Sequence, residues 1–287
     1  AEKHRERFDV PVIGITGSNG KTIVKEWLYQ LLSPERIITR SPRSYNSQIG
    51  VPLSVWLMNE STELGIFEAG ISEMGEMEAL QSIIRPSIGV LTNIGGAHQE
   101  NFYSVEDKCI EKLALFKDCD VVIYDGDNEL ISRCISKSLF SAREIAWSRK
   151  DSERPLYIES VTKEVSSTTI RYRYLGMPNA YTIPFIDDAS IENSLHCLAV
   201  CLYLMLPAEK ITERMASLEP VAMRLEVKEG KNGCILINDS YNSDLASLDI
   251  ALDFMSRRSE DKGRKRTLIL SDMLETGQTP NLLYRQV

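Results

Sequence analysis

The residues best suited to chemistry lie near the start of the chain, where a lysine and a threonine follow a glycine-rich turn. The stretch from Gly14 to Thr22 reads G-I-T-G-S-N-G-K-T. Backbone N–H groups of such a turn, together with the positive end of a following helix, hold phosphate oxygens. The Lys21 ammonium would add a positive charge, and the Thr22 hydroxyl could bind Mg²⁺. The pattern departs from the general phosphate-loop signature, because five residues rather than four separate Gly14 from Gly20.

Two more polar side chains follow predicted strands. Glu68 ends the apolar run that begins at Leu64, and His98 comes shortly after the run from Ile88 to Ile94. Because ligands of open α/β sheets bind at the carboxyl ends of the strands, both side chains are expected beside the phosphate loop. Glu68 could hold the Mg²⁺ of a nucleotide. The alternatives are a strand-end carboxylate that faces solvent and a loop histidine without a role.

The elements that position these residues alternate between strands and helices. The run from Val10 to Thr16 is short, apolar and rich in β-branched residues, which predicts a buried strand. After it, apolar residues fall on one face of a helix from Ile23 to Leu32. The polar stretch at 41–52, bounded by prolines, predicts a loop. The alternation continues through strands at 64–69, 88–94, 121–124 and 144–147 and helices at 74–84, 105–116 and 128–138. It predicts a doubly wound, mainly parallel sheet.

The second half of the chain changes character. From Pro155 to Phe185 the residues alternate and are rich in Thr, Tyr, Val and Ile, which predicts a small antiparallel sheet appended to the main one. Apolar helices are predicted at 191–206 and 208–218. Farther on, strands at 225–227, 234–238 and 267–270 with a helix at 245–255 predict the beginning of a second, Rossmann-like α/β domain. These patterns divide the chain into a central domain, residues 1–222, and a second domain, residues 223–287.

The bulk composition narrows the class of protein. The 287 residues are 43% hydrophobic and 26% charged, and no apolar run reaches membrane length. A net charge of −8 argues against general nucleic-acid binding, which needs a basic surface. The six cysteines form no C-x-x-C pair, so they are expected to be reduced thiols. We expect a cytoplasmic monomer that binds neither nucleic acid nor membrane.

Several motifs, in order along the chain, resemble those of the ATP-dependent Mur ligases of peptidoglycan synthesis. They are T-G-S-N-G-K-T at 16–22, Glu68, N-I-G-x-A-H at 93–98, R-L-E at 224–226 and N-D-S-Y-N at 238–242. Three stretches most resemble the members that join D-alanyl-D-alanine to the UDP-N-acetylmuramoyl tripeptide. These are N-S-Q-I-G-V-P at 46–52, E-A-G at 68–70 with G-E-M at 75–77, and D-S-Y-N at 239–242. The resemblance covers almost the whole chain.

The resemblance implies that one group of residues binds ATP and its metal ions. The phosphates would be bound by the whole loop, Gly17, Ser18, Asn19, Gly20, Lys21 and Thr22. One Mg²⁺ would be bound by Thr22 and Glu68. A second would be bound by His98 and by Lys112, which matches a lysine that relatives carry as a carbamate. A carbamate suits this role because it offers the hard oxygens that Mg²⁺ prefers. The alternative is a solvated helix lysine, since Ala114 replaces the family's usual Glu and Lys108 lies one turn away.

A second group of matching residues would position the nucleotide and the substrates. Asn193 matches the residue that meets adenine, Arg224 would contact phosphate, and Asp239 would hold the ribose. The residues assigned to substrate contacts are Asn46, Ser47, Tyr241 and Asn242. The sequence departs from the family pattern at residues 189–190, which read Ala-Ser, and at residue 223, a methionine. The predicted catalytic set is Lys21, His98, Lys112 and Arg224.

The implied reaction is amide formation driven by ATP. The terminal carboxylate of the UDP-N-acetylmuramoyl tripeptide would become an acyl phosphate, from which the amine of D-alanyl-D-alanine would displace phosphate. Such chemistry needs positioning and charge neutralisation rather than a nucleophilic side chain. Family members begin with a UDP-binding domain, absent here, and end with a longer last domain, so these residues alone are expected to be inactive. The alternatives are another Mur ligase, a folylpolyglutamate synthase-like ligase, or a phosphate-loop NTPase or nucleotide-binding module without ligase activity.

Overall fold

A nine-stranded, mainly parallel sheet forms the body of the protein, which confirms the predicted fold class. The computed structural model describes residues 1–95, 99–138, 141–241, 245–259 and 265–273, together with residues 283 and 285. The strands of the sheet are β1 (Val12–Thr16), β2 (Ile38–Arg40), β3 (Leu64–Glu68), β4 (Ile88–Leu91), β5 (Val121–Asp125), β6 (Arg143–Ser148), β7 (Leu156–Lys163), β8 (Thr168–Tyr174) and β9 (Met177–Ile183). Their order is β2-β3-β1-β4-β5-β6-β7-β8-β9.

The antiparallel part is an extension of the parallel sheet. Strands β7, β8 and β9 pair antiparallel, and β7 joins the parallel part through a short parallel pairing with β6. The predicted appended sheet is therefore hydrogen-bonded to the edge of the main one. All pairs from β2 through β7 are parallel.

Helices cover both faces of the sheet, as expected for parallel β-α-β units. They are α1 (Glu2–Arg5), α2 (Lys21–Leu32), α3 (Gly50–Val55), α4 (Glu76–Ile84), α5 (Val105–Leu113), α6 (Glu129–Lys137), α7 (Asp188–Tyr203) and α8 (Ala208–Ala216). Helices α2, α7 and α8 share one hydrophobic core with the sheet, and the helices from α3 to α6 share the other. Successive side chains of β1 enter opposite cores, Val12 on one side and Ile13 on the other, because strand side chains alternate. No helix in the described ranges has the length and apolar character needed to cross a membrane.

The described residues after 225 form a second, two-stranded sheet and one further α-helix. Strands β10 (Glu226–Glu229) and β11 (Ile235–Asn238) pair antiparallel, and α9 spans Leu245–Ser259. The predicted strand at 267–270 is wrong, because residues 265–273 contain neither helix nor strand. Ile269 is 92% exposed. A β-branched run becomes a strand only where a neighbouring strand pairs with it and a packed face buries it.

The polar stretch at 41–52, predicted as a loop, ends in a helix. Helix α3 begins at Gly50, whose N–H donates to Ser47 Oγ at 3.2 Å. The Val51 N–H donates to the Ser47 carbonyl at 2.9 Å. This turn brings the loop from β2 against the end of β3.

The strand order places three strand ends side by side. Strand β1 lies between β3 and β4, with Ile15 opposite Glu68 and Thr16 opposite Leu91. The segments that leave these strands therefore meet at one edge of the sheet. These are the phosphate loop, Glu68 and the stretch that follows Leu91.

Candidate phosphate-binding site

The loop between β1 and α2 has a backbone that suits only glycine at two positions. Gly17 has φ +145° and Gly20 has φ +84°, values that other residues rarely adopt. A Cβ at Gly17 would lie 2.0 Å from Thr92 Oγ1, and one at Gly20 would lie 2.3 Å from Asn193 Oδ1. Side chains after β4 and on α7 therefore pack directly against the loop.

Asn93, just after β4, holds the loop through two hydrogen bonds. The Ser18 N–H donates to the Asn93 carbonyl at 2.9 Å, and the Asn19 N–H donates to Asn93 Oδ1 at 2.9 Å. The Gly95 N–H donates to Ser18 Oγ at 2.8 Å. The sequence contains Asn93 within a motif but gives it no role. Its position near the end of the strand predicted at 88–94 was the only available signal.

Lys21 lies across the mouth of the loop. Its Nζ donates to the Gly17 carbonyl at 2.8 Å and to the Ser18 carbonyl at 3.0 Å. No side chain of the described residues caps the start of α2, and a helix start offers N–H groups that the helix itself does not use. The cleft over the loop is lined by residues 17–22, Asn46, Ser47, residues 70–72, Lys108, Lys112, Arg224 and Tyr241.

The cleft is strongly positive although the chain is acidic overall. Lys21, Lys108, Lys112 and Arg224 line it, and no Asp or Glu is among its described lining residues. The positive end of α2 points into the same space. The basic side chains and the helix start suit this cleft to an anion with several charges.

Glu68 belongs to a buried polar network directly behind Thr22. The Thr22 hydroxyl donates to Glu68 Oε2 at 3.0 Å and lies 2.9 Å from Ser44 Oγ. Lys25 Nζ lies 3.0 Å from Glu68 Oε1, and both side chains are fully buried. This contact is an ion pair rather than a well-directed hydrogen bond. Sequence patterns did not indicate a role for Lys25 or Ser44, and Lys25 fits the pattern of a solvent-facing helix residue.

Helix α5 carries two lysines to the loop. Lys112 Nζ donates to the Gly17 carbonyl at 3.3 Å, and Lys108 Nζ donates to the Gly95 carbonyl. Burial, together with the charges of Lys21 and Lys108, holds the pKa of Lys112 well below its usual range. Burial also lowers the pKa of Lys108. The solvated-lysine alternative for Lys112 is therefore wrong, because its side chain is buried.

Two predicted substrate residues lie on the rim beyond Glu68. The Asn46 carbonyl accepts from the Gly70 N–H at 2.8 Å, and the Asn46 side chain packs on Gly70, where a Cβ would approach it to 3.0 Å. Ser47 caps the first turn of α3. Both residues line the cleft.

Residues after 222 reach the other side of the cleft. The Arg224 guanidinium carbon lies 4.2 Å from the centre of the Tyr241 ring, a cation–π contact. Asp239 Oδ1 accepts from the Leu225 N–H at 3.2 Å. Asn193 is buried against Gly20 and does not line the cleft.

Two predicted site residues, His98 and Asn242, lie outside the described residues. Within the described ranges, no group of three or more His, Cys, Asp or Glu side chains is placed to hold a metal ion. At the loop, the Thr22 hydroxyl and the Glu68 carboxylate place two oxygen atoms 3.0 Å apart.

The sheet, the loop and its basic cleft define a phosphate-loop α/β protein. Residues 15–201 match the family model described as the Mur ligase middle domain. The chain belongs to the Mur ligase family.

Relatives and solved structures agree with this assignment. The chain is 29% identical to a UDP-N-acetylmuramoyl-tripeptide–D-alanyl-D-alanine ligase of Bacillus subtilis, over all of this chain and 61% of that protein. It is 30% identical to the protein of that name in Borreliella burgdorferi, over 84% of this chain and 52% of that protein. MurF from Acinetobacter baumannii superposes with a TM-score of 0.84 at 20% identity, over 99% of this chain and 61% of that one.

A further solved structure is the MurF ligase from Thermotoga maritima in complex with ADP. It superposes with a TM-score of 0.77 at 23% identity, over 89% of this chain and 59% of that one. These likenesses establish the fold. The chain spans between half and two thirds of the length of the relatives it matches.

Proposed function

We propose that the chain is the nucleotide-binding core of a ligase that joins D-alanyl-D-alanine to UDP-N-acetylmuramoyl tripeptide with ATP. The observation that carries the proposal is the cleft in which Lys21, Lys108, Lys112 and Arg224 surround a helix start. Catalysis of phosphoryl transfer rests on positioning and on stabilising negative charge, which this arrangement can supply. Family membership and the names of the Bacillus and Borreliella relatives support the choice of reaction and substrates.

The nucleotide roles follow the position of each residue around the loop. Residues 17–22 bind the phosphates, with Lys21 moving its hydrogen bonds from loop carbonyls to phosphate oxygens. Arg224 contacts phosphate from across the cleft. Asn193 and Asp239 contact the adenine and the ribose. The packing of Asn193 on Gly20 and the cleft position of Arg224 support this arrangement.

Thr22 and Glu68 have the chemistry to hold one Mg²⁺. Both offer oxygen ligands, which this ion prefers, and their oxygens already lie 3.0 Å apart. Bound there, Mg²⁺ would neutralise phosphate charge. His98 and Lys112 are proposed for a second Mg²⁺, with Lys112 as a carbamate. An amine takes up CO₂ only in its neutral form, and the lowered pKa of Lys112 favours that form.

The remaining assignments concern the substrates and the surrounding protein. Asn46, Ser47, Tyr241 and Asn242 are proposed to contact the tripeptide and D-alanyl-D-alanine. The domain boundary at 222/223 is supported by the separate β10–β11 sheet and by positive φ values at Met223 and Leu225. A cytoplasmic location and a monomeric state stay predictions.

The test of the proposal is nucleotide binding, measured by calorimetry with Mg²⁺ and a non-hydrolysable ATP analogue. Lys21→Ala should weaken binding at least tenfold, since a hydrogen bond to a charged group is worth about 1.5–3 kcal/mol. The matched control is Lys117→Ala, which removes an exposed lysine away from the cleft. Circular dichroism of both variants checks that the fold is intact.

Two results would contradict the proposal. Absence of nucleotide binding by the unaltered chain removes it altogether. Equal affinities for Lys21→Ala and Lys117→Ala would show that nucleotide binds elsewhere. With nucleotide binding established, a panel of acceptor amines supplied to a longer protein that carries this chain would separate the D-alanyl-D-alanine ligase from sister ligases.

A further inference from the structure

A buried histidine connects the centre of the sheet to the phosphate loop. His196 lies on α7 and is 1% exposed. Its Nδ1 accepts from the Trp147 indole N–H at 3.3 Å, and its Nε2 lies 2.9 Å from the Thr92 carbonyl. The two rings meet edge to face at 5.5 Å. The imidazole therefore bridges β6 to the residue that follows β4.

The partners of His196 fix which nitrogen carries the proton. An indole N–H can only donate, so Nδ1 must present its lone pair. A carbonyl oxygen can only accept, so Nε2 must carry the hydrogen. The neutral imidazole satisfies both partners, whereas the imidazolium would set two N–H groups against each other at Trp147. Burial also favours the neutral form, because it lowers the pKa of His196 to about 4.

Thr92, whose carbonyl contacts His196, also packs against the phosphate loop. The Thr92 hydroxyl donates to the Asn19 carbonyl at 2.5 Å, and the same oxygen is the atom that a Cβ at Gly17 would strike. The next residue, Asn93, accepts hydrogen bonds from the N–H groups of Ser18 and Asn19. Moving the Thr92 carbonyl would move every one of these contacts.

We propose that His196 is a positioning residue that sets the place of the phosphate loop by holding the strand end at Thr92. It is not among the described residues that line the cleft. The chain of contacts runs from Trp147 through His196 and Thr92 to Asn19. The part of this inference that concerns nucleotide affinity rests on the proposed function, whereas the part that concerns the loop itself does not.

A pair of amide variants tests the proposal. In His196→Gln the longer amide reaches the Nε2 position, where its N–H can donate to the Thr92 carbonyl. In His196→Asn the shorter amide reaches only the Nδ1 position and loses Thr92. The control is Tyr181→Phe, which removes a buried hydroxyl that bonds Ser194 on the far side of the same helix.

Amide hydrogen exchange, read by mass spectrometry on peptides covering residues 16–22, reports the loop without any ligand. We expect exchange to quicken at least tenfold in His196→Asn and to stay within threefold of the unaltered protein in His196→Gln and Tyr181→Phe. Calorimetry with the ATP analogue should show a matching tenfold loss of affinity in His196→Asn alone. Should His196→Asn not fold, His196→Leu replaces it, because leucine brings no unpaired polar atom of its own.

Each outcome decides the proposal. Loop exchange that is equally fast in His196→Asn and His196→Gln, or unchanged in both, overturns it. Faster exchange throughout the chain in His196→Asn, with no preference for the loop, also overturns it. If the unaltered protein binds no nucleotide, the proposed function fails, but the exchange data still decide whether His196 holds the loop.

Discussion

The buried ion pair behind the loop allows a quantitative test of how the protein holds Glu68. The Lys25 ammonium lies 3.0 Å from Glu68 Oε1 and donates to the carbonyls of Ser41, at 2.8 Å, and Arg43. Lys25→Met keeps most of the aliphatic stem and removes the charge. Removing one partner of a buried pair leaves the other charge uncompensated, at a cost of about 3–5 kcal/mol. We expect the free energy of unfolding to fall by that amount.

The measurement is urea unfolding followed by far-ultraviolet circular dichroism. The change in midpoint, multiplied by the common slope, gives the change in unfolding free energy. The control is Lys163→Met, which breaks an ion pair with Asp188 of 2.7 Å in which the side chains are 29% and 63% exposed. Exposed pairs contribute about 0–1 kcal/mol, so this variant should lose no more than about 1 kcal/mol.

The double variant Lys25→Met/Glu68→Gln supplies the decisive comparison. Lys25→Met strands the buried carboxylate of Glu68, whereas Glu68→Gln leaves the Lys25 ammonium beside Glu26 Oε1 at 2.9 Å. The double change strands no buried charge. The double variant should therefore lose at least about 2 kcal/mol less than the sum of the single losses. Additive losses, or a loss below about 1 kcal/mol for Lys25→Met, would refute the reasoning.

Two further predictions concern protonation. The pKa of His196 is about 4 in the folded protein, compared with an ordinary value of 6.5. As the pH falls, the imidazole is therefore protonated in the unfolded chain before it is protonated in the folded protein. The contribution of His196 to stability should be constant above pH 6.5 and fall by about 3 kcal/mol as the pH drops to 4, and His196→Gln should lack this part of the loss in urea titrations. For Lys112, addition of ¹³C-bicarbonate should give a carbamate signal in the NMR spectrum. Lys112→Ala should abolish this signal, and Lys108→Ala should retain it. Absence of the signal in the unaltered chain, or its loss in Lys108→Ala only, contradicts the assignment.

The sequence alone was sufficient for the fold class and for locating the glycine-rich loop of the candidate site. The period of apolar residues changes from strand to helix at Lys21, and the glycine-rich turn between them is local information. Glu68 was found because a carboxylate at the end of an apolar run belongs at the ligand edge of a parallel sheet. Such features are properties of short stretches, so they can be read without knowing the tertiary contacts.

Predictions were wrong where the local sequence pattern favours one structure and the tertiary contacts favour another. Residues 267–270 have the composition of a strand, yet Ile269 is exposed and the described part of the chain gives it no strand. Helix α3 starts within a stretch of polar, proline-bounded sequence, because Ser47 caps it from outside. Propensity is a weak guide where packing decides.

Only the tertiary structure showed what holds the site in shape. Asn93 hydrogen-bonds to a loop residue 74 positions away in the sequence, and His196 contacts the carbonyl of Thr92, 104 positions away. Lys25 fits the pattern of a solvent-facing helix residue until the burial of Glu68 beside it is known. The two loop glycines are recognisable from sequence as turn formers, but the side chains that exclude a Cβ come from Thr92, just after β4, and from Asn193 on α7. The local sequence pattern determines which stretch of backbone can bind phosphate. Strand order and burial determine which side chains contact that backbone and hold it in place.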